Sequence, residues 1–245
     1  MPGIIRRHRL KQAYLPSRTG IILNPAYLIR RVLMNSIRTE ASAMHGILLD
    51  FGCGSRPYET LFTVEKYIGL DIENSGHPAS LKRADIWYDG RVIPLPDSSV
   101  DHVFAAEVFE HVFNSSELFR EILRVLKPGG TFLLTCPFIW PLHEQPYDFA
   151  RYTPFALDAE LEKAGFTHIR VRRLGHSVEA IFQLVSCYAH DRLLPRSNAL
   201  RGILSLAYCT LLNMSALCMA KILPTDETLY LSNVVVAVKA KSPDL

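Results

Sequence analysis

The sequence predicts an α/β fold built on a largely parallel sheet. Three observations carry this: from about residue 46 short apolar runs alternate with stretches of helical period, the first run ends in the turn Gly52-Cys53-Gly54, and acids close successive runs. The candidate strands, in order, are Ile47–Phe51, Tyr67–Asp71, His102–Ala106, Thr131–Thr135, Thr167–Arg173 and Asn233–Lys239. Between the third and fourth, Asn114 is placed as an N-cap with Glu117 three residues on. Leu118, Phe119, Ile122, Leu123 and Leu126 form one apolar face, and Lys127-Pro128-Gly129-Gly130 stops the helix.

Composition excludes disorder: of 245 residues, 49% are apolar and 21% charged, enough for one α/β domain with an elaboration. Five cysteines (Cys53, Cys136, Cys187, Cys209, Cys218) are odd in number and lack paired metal-ligand spacing. The N-terminal apolar stretches are broken by arginines, unlike a signal peptide, so the expected location is cytoplasmic, with peripheral membrane contact left open. The net charge of +3 is uneven. Residues 1–39 hold Arg6, Arg7, Arg9, Lys11, Arg18, Arg30, Arg31 and Arg38 and no acid, a segment suited to an anionic neighbour.

Four segments follow: a basic helical extension (1–45), an α/β core (46–175), a helical insert (176–225), and a final strand of the same sheet with a tail (226–245). The extension ends in a helix from Pro25 to about Ala43 with Asn24 as N-cap. Within the insert, Ile203–Ala220 carries no charge. Three readings stand for it: a packed helix or active-site cover, a helix bound to a membrane surface, or a span.

The stretch Leu48-Leu49-Asp50-Phe51-Gly52-Cys53-Gly54 ends a strand in a glycine turn and leads into a helix-like pattern. Glycines let backbone N–H groups approach a ligand. A dinucleotide loop wants a third glycine where Pro57 stands, and Asp50 suits an ammonium group better than a pyrophosphate. The next strand ends in Asp71-Ile72, where a carboxylate can accept both hydroxyls of a ribose. Asp85-Ile86 then offers an acceptor for an adenine amino group beside an apolar wall.

After the fourth strand, Glu107, Glu110 and His111 stand at i, i+3 and i+4, a spacing that on a helix converges two carboxylates and an imidazole on one ion. After the fifth comes His143-Glu144-Gln145-Pro146-Tyr147-Asp148-Phe149-Ala150-Arg151-Tyr152, followed by the helix start Thr153-Pro154. Arg151 could clamp a phosphate or carboxylate and Tyr152 stack on a ring; a structural Asp148–Arg151 pair is the alternative.

Asp50-Phe51-Gly52-Cys53-Gly54, Asp71, Asp85, Leu95-Pro96-Asp97-Ser98-Ser99-Val100-Asp101, Glu110-His111-Val112 and Leu126-Lys127-Pro128-Gly129-Gly130 together resemble the successive motifs of class I S-adenosylmethionine-dependent methyltransferases of the type 11 group, over roughly residues 46–175. The resemblance implies a Rossmann-like seven-strand sheet of order 3-2-1-4-5-7-6 whose last strand, Val234–Val238, is antiparallel. It implies a cofactor site of Asp50, Gly52, Cys53, Gly54, Asp71, Ile72, Asp85, Ile86 and Glu107. Asp50→Ala and Gly52→Val should then abolish cofactor binding, the second by placing a branched side chain where the ligand approaches.

Glu107, Glu110 and His111 also resemble the Glu-x-x-Glu-His ligands of metal-dependent O-methyltransferases, with His143 completing the set for Mg²⁺ or Zn²⁺. The alternative is a metal-free Glu–His pair near the methionine part, with His111 or His143 as base. The candidate catalytic residues are therefore His111, His143, Asp148, Arg151 and Tyr152. The stretch from His143 to Tyr152 is similar to ones in bacterial methyltransferases of surface-polysaccharide or natural-product loci. The expected function is O-methylation of a small-molecule, glycan or lipid-linked acceptor. A metal-dependent RNA methyltransferase and a catalytically silent binding protein are the rivals, and the lack of a basic stripe interleaved with aromatics argues against nucleic acid.

Overall fold

The structure, a computed structural model, describes residues 12–73, 76, 78–195 and 198–241. Arg6, Arg7, Arg9 and Lys11 lie outside the described residues. The chain forms two compact units, Met1–Ser36 with Ile139–Pro141 and Arg173–Ser232, and Ile37–Phe138 with Leu142–Arg172 and Asn233–Leu245. In this division the expected extension and insert fall in one unit, and the first boundary lies at Ser36. The reason lies in the helix α2 (Tyr27–Ala41), whose last turns bury Ile37 and Ala41 while Glu40 pairs with Arg170 and Arg172 at 2.8 and 2.7 Å.

The second unit is organised by a seven-stranded sheet: β1 (Ile47–Phe51), β2 (Lys66–Ile72), β3 (Ile86–Tyr88), β4 (Val100–Ala106), β5 (Leu126–Pro137), β6 (Phe166–Leu174) and β7 (Ser232–Lys239), in the order β3-β2-β1-β4-β5-β7-β6. The sheet is mixed, and β1 pairs in parallel with both β2 and β4, setting Leu49 opposite Ile68 and Val103. β3 escaped the strand reading because three residues carry no period. β5 starts earlier than expected, so Lys127-Pro128-Gly129-Gly130 is strand rather than a stop. There Gly130 is required, since a Cβ would lie 2.8 Å from the backbone oxygens of Asp101 and Lys127.

One face of the sheet is covered by α3 (Ser115–Val125) and α4 (Pro154–Ala164). Leu118, Phe119, Ile122 and Val125 of α3 and Leu157 and Leu161 of α4 are buried with Phe51, Phe109 and Phe132 in one core. Thr153 caps α4 by accepting from Ala156 N–H at 3.2 Å, Pro154 opens the first turn, and Gly165 closes it with φ +103°. Asn114 occupies the N-cap of α3, but its side chain makes no capping bond; its carbonyl accepts from Glu117 N–H instead. Motif acids in this unit tie the fold: Arg124 holds Asp97 at 2.7 Å and the Ile93 and Leu95 carbonyls, and Asp101 joins Lys127 to Ile47 N–H.

The first unit contains α1 (Gly20–Leu23), the start of α2, α5 (Ser177–Tyr188) and α6 (Asn198–Ile222), with a π-helical turn at Ala189–Leu193. The expected Asn24 cap is present as a turn, Asn24 Oδ1 accepting from Ala26 N–H at 2.8 Å before α2. The reading of Ile203–Ala220 as a packed helix is not met. Only 17% of the most apolar window within Leu200–Ile222 is buried, since α6 turns just Cys209, Asn213 and Ala216 inward.

Candidate active site at the carboxyl ends of β1, β4 and β5

In an open α/β sheet, ligands settle beyond the carboxyl ends of the strands where the strand order reverses. Here that point lies between β1 and β4. The glycine turn follows β1, Glu107–His111 follow β4, and His143–Tyr152 follow β5.

The glycine turn works differently from the expectation. Gly52 and Cys53 donate N–H to Leu70 O at 2.8 and 3.1 Å, and Gly54 donates to Asp71 Oδ2 at 2.8 Å, so these N–H groups serve the end of β2 rather than a ligand. The expected helix start is a three-residue 3₁₀ turn, Glu59–Leu61, after Arg56 at φ +55°. Gly52 (φ +71°) is needed for packing, because a Cβ there would meet Val108 Cγ2 at 2.6 Å. At Gly54 (φ +49°) a Cβ would meet nothing within 4 Å.

Asp50 is buried under the turn and accepts from Tyr67 Oη at 2.6 Å. Burial pushes its carboxyl up to about 7, against the pull of the Tyr67 hydroxyl and the Arg56 guanidinium. The folded state therefore binds a proton that the unfolded chain releases near its ordinary value, and Asp50's stabilising contribution, full below about pH 4, is lost as pH rises through 7. From the size of the shift, the loss is roughly 4 kcal/mol. Asp50→Asn is expected to remove this component, so urea midpoints at pH 5 and pH 8 should differ less in the variant than in the wild type; equal differences would contradict it. Cys53 is buried and its thiol is pushed up to about 12 by burial and by Asp50 and Asp71, so it is a packing residue, neutral at pH 7.

Asp71 is more committed than expected. Oδ1 accepts from Ile72 N–H and Lys82 Nζ, each at 2.8 Å, and Oδ2 from Gly54, leaving one lone-pair direction of about four for a ribose hydroxyl. The Asp85 carboxylate pairs with Arg56 and accepts from Gly69 N–H at 2.9 Å, an ion pair that holds β2 to the loop, and its side chain is half exposed. Ile86 packs on the core, and Ile72 stands half-buried at the end of β2. Sequence reasoning missed Tyr67, Arg56 and Lys82. The available signal was Gly69, directly opposite Asp50 in register, where a Cβ would strike Arg56 Nη2 at 2.6 Å.

Beyond β4 the chain does not form the expected helix face. Glu107 stands at φ +55°, its N–H donated to Thr135 O at 3.0 Å, and Phe109–His111 form a short 3₁₀ turn. Glu107 therefore drops out of the cluster. The structure brings together Glu110, His111 and His143, whose ligand atoms all lie within 4.8 Å of one another. Glu110 is fully buried, and no hydrogen bond among the described residues reaches its Oε1. Burial, reinforced by the charge of Glu107, pushes its carboxyl well up. His111 Nδ1 lies 2.7 Å from Tyr147 O, which accepts its proton, so Nε2 carries the lone pair, 3.8 Å from Glu110 Oε1 and 3.7 Å from Glu144 Oε1. His143 presents Nδ1 to Asp148 Oδ2 at 3.2 Å, and burial and the neighbouring His111 pull it down, so it is neutral. The imidazoles meet edge to face at 4.7 Å.

Asp148 positions His143 and pairs with Arg151 through both oxygens, at 2.5 and 2.8 Å. Burial opposes its charge, but these bonds and His143 N–H hold it down at about 2. The guanidinium is thus committed within the loop, which is the structural alternative to an acceptor clamp. Tyr152 is partly buried against the core, and its backbone carbonyl accepts from Asn233 Nδ2 at 2.9 Å. Glu144, facing His111, is the residue given no role from the sequence.

Residues 49–134 match the type 11 family described as "Methyltransferase domain". A probable S-adenosylmethionine-dependent methyltransferase of Mycolicibacterium smegmatis is 36% identical over 96 residues, covering 37% of each chain. The 27-O-demethylrifamycin SV methyltransferase of Amycolatopsis mediterranei is 29% identical over 158 residues, covering 59% of this chain and 52% of that protein. The matches thus span only about a third to a half of these relatives' length. Among solved structures, the cyclase SpnF superposes with TM-score 0.57 at 18% identity, covering 87% of this chain and 82% of that one. A phosphoethanolamine N-methyltransferase of Haemonchus contortus gives 0.55 at 19%, covering 91% and 56%. At such identities these two speak for the fold alone. Motif match, relatives and strand order agree that residues 49–134 are similar to the S-adenosylmethionine-dependent methyltransferase domains of the type 11 family, set on a sheet of the order that the resemblance implies.

Proposed function

We propose that this protein is an O-methyltransferase of the cytoplasm, acting on a hydroxyl-bearing small molecule, glycan or lipid-linked compound. The observation that carries this is the Glu110–His111–His143 cluster, two of its members beyond β4 and one beyond β5, at the end of the sheet that also bears the Gly54 opening. The cofactor supplies, when bound, a methyl group already activated by its sulfonium. What remains for the chain is to align an acceptor oxygen, remove its proton and exclude water. His111 Nε2 is the base: Tyr147 O fixes the tautomer, and Glu144, 3.7 Å from Nε2, stabilises the imidazolium that forms. In the balanced reaction the oxygen–carbon bond forms as the carbon–sulfur bond breaks, and the proton passes to His111. The rifamycin enzyme's name, which places its methyl on an oxygen, supports an oxygen acceptor. The test is transfer of labelled methyl from S-adenosylmethionine into an extract of the source cells, with the linkage then identified chemically. Label in an ether linkage is expected; label on nitrogen would overturn the proposal.

A second reading is favoured by the same atoms. Among the described residues Glu110 Oε1 lacks a hydrogen-bond partner, and both histidines give Nδ1 to a carbonyl or carboxylate, the arrangement that orients histidine ligands. Mg²⁺ or Zn²⁺ would fit Glu110, His111 and His143 and would lower the pKa of a hydroxyl it binds. In the base reading, chelator treatment leaves turnover unchanged and calorimetry shows no cation binding. Loss on chelation, restored by one added metal that binds the wild type but not His143→Ala, would establish the metal reading.

A further inference from the structure

The first unit is built with its polar groups inward. On α5 the buried positions are Glu179, Ala180, Gln183 and Ser186, whereas Ile181, Leu184, Val185 and Tyr188 are 40–62% exposed. α6 repeats the pattern: Cys209, Asn213 and Ala216 face inward, and Ile203, Leu211 and Ile222 on the opposite face are 66–73% exposed. Most inward polar groups bond within the unit, although Asn213 Oδ1 meets no hydrogen-bond donor among the described residues. Asn213 Nδ2 donates to Ile21 O at 2.8 Å and Asn24 O at 3.2 Å, Gln183 Nε2 to Pro25 O at 2.9 Å, and Glu179 meets Arg31 at 2.5 Å. A water-surrounded helix hairpin has the reverse arrangement; small and polar residues between helices with leucines and isoleucines outward is the pattern of protein in contact with hydrocarbon.

Charge names the partner. Exposed Arg192 precedes α6 and exposed Lys221 closes it, with Arg201 in the first turns, while the sequence has no acid between Asp191 and Asp226. Arg18 stands exposed just before α1, whose Ile22 and Leu23 add to the apolar surface. Such cations fit the phosphates of an anionic leaflet. We propose that α5 and α6 lie on a bilayer surface with Ile203, Leu211 and their neighbours in the acyl boundary and the basic residues at the headgroups. The charged residues Asp191, Arg192 and Arg201 at the connection between the helices favour lying on the surface over inserting that connection. The inference rests on this unit alone and is independent of the reaction.

The test is flotation of the full chain with phosphatidylcholine vesicles, with and without phosphatidylglycerol, beside Ile203→Glu/Leu211→Glu. Both substitutions are at exposed positions and should leave the melting temperature unchanged. The wild type is expected to float with anionic vesicles, less with neutral ones or at high salt, and the variant at least about tenfold less. Exposed Cys218 should lose reactivity toward an impermeant maleimide when vesicles are present. A wild type that stays unbound at low salt, or a variant that floats equally, overturns the proposal. So do a dimer dissolved by the same substitutions, which assigns the face to a second copy, and resistance of the cell-membrane fraction to alkaline wash, which assigns a span.

Discussion

His111→Ala is expected to lower kcat by about 100- to 10,000-fold while the dissociation constant for S-adenosylmethionine changes little. The imidazole is held by Tyr147 O through one nitrogen and faces two carboxylates with the other, so it takes no part in the glycine turn or the Asp71 end of β2. Glu110→Gln should lose less, since the amide keeps the shape of a carboxyl that burial already holds toward its neutral form. It should also make stability less dependent on pH, because it removes a buried group whose ionisation the fold opposes. Single-turnover kinetics at saturating cofactor separate the outcomes. A fall in affinity with unchanged transfer would move His111 from the chemistry to the cofactor site.

The second large effect distinguishes the two glycines. Gly54→Val places its side chain in open space, so the fold should lose only about 1–2 kcal/mol from the left-handed backbone while cofactor affinity falls roughly 100-fold or more. Gly52→Val drives Cβ into Val108 at a φ of +71° and is expected to cost about 2–5 kcal/mol of stability. Its loss of binding would then follow from a damaged fold rather than a blocked approach. Thermal melting and calorimetric titration of both variants check this; equal stability with equal loss of binding would contradict it.

These glycines show where the sequence was legible. The apolar runs and their spacing located six strands to within a few residues, because burial on both faces of a parallel sheet leaves a pattern that side-chain type reveals. The resemblance supplied their order. What it could not reveal was where backbone N–H groups go. The turn after β1 has the residues of a ligand-facing loop, yet its N–H groups bond Leu70 and Asp71, a pairing that only the register of β2 decides. Likewise, the i, i+3, i+4 spacing of Glu107, Glu110 and His111 reads as a helix face only if the chain is helical. Glu107 at φ +55° and the bond from its N–H to Thr135 break that period, and His143 supplies the third group from another strand end. Asp85 was legible as a charge but not as a partner of Arg56, and the Asp148–Arg151 pair was legible only as one of two alternatives, since ion pairs are settled by packing. The outward leucines of α6 defeated the packed-helix reading for the opposite reason: apolarity marks contact with something apolar, and it need not be the protein's own core.

The most direct test of the central claim is the labelled-methyl transfer run in parallel with wild type, His111→Ala and Gly54→Val, with cofactor binding measured on the same preparations. The account predicts an ether-linked product from the wild type, cofactor binding without product from His111→Ala, and neither binding nor product from Gly54→Val. A wild type that binds S-adenosylmethionine yet labels nothing, or a His111→Ala protein that labels as fast as the wild type, would contradict it.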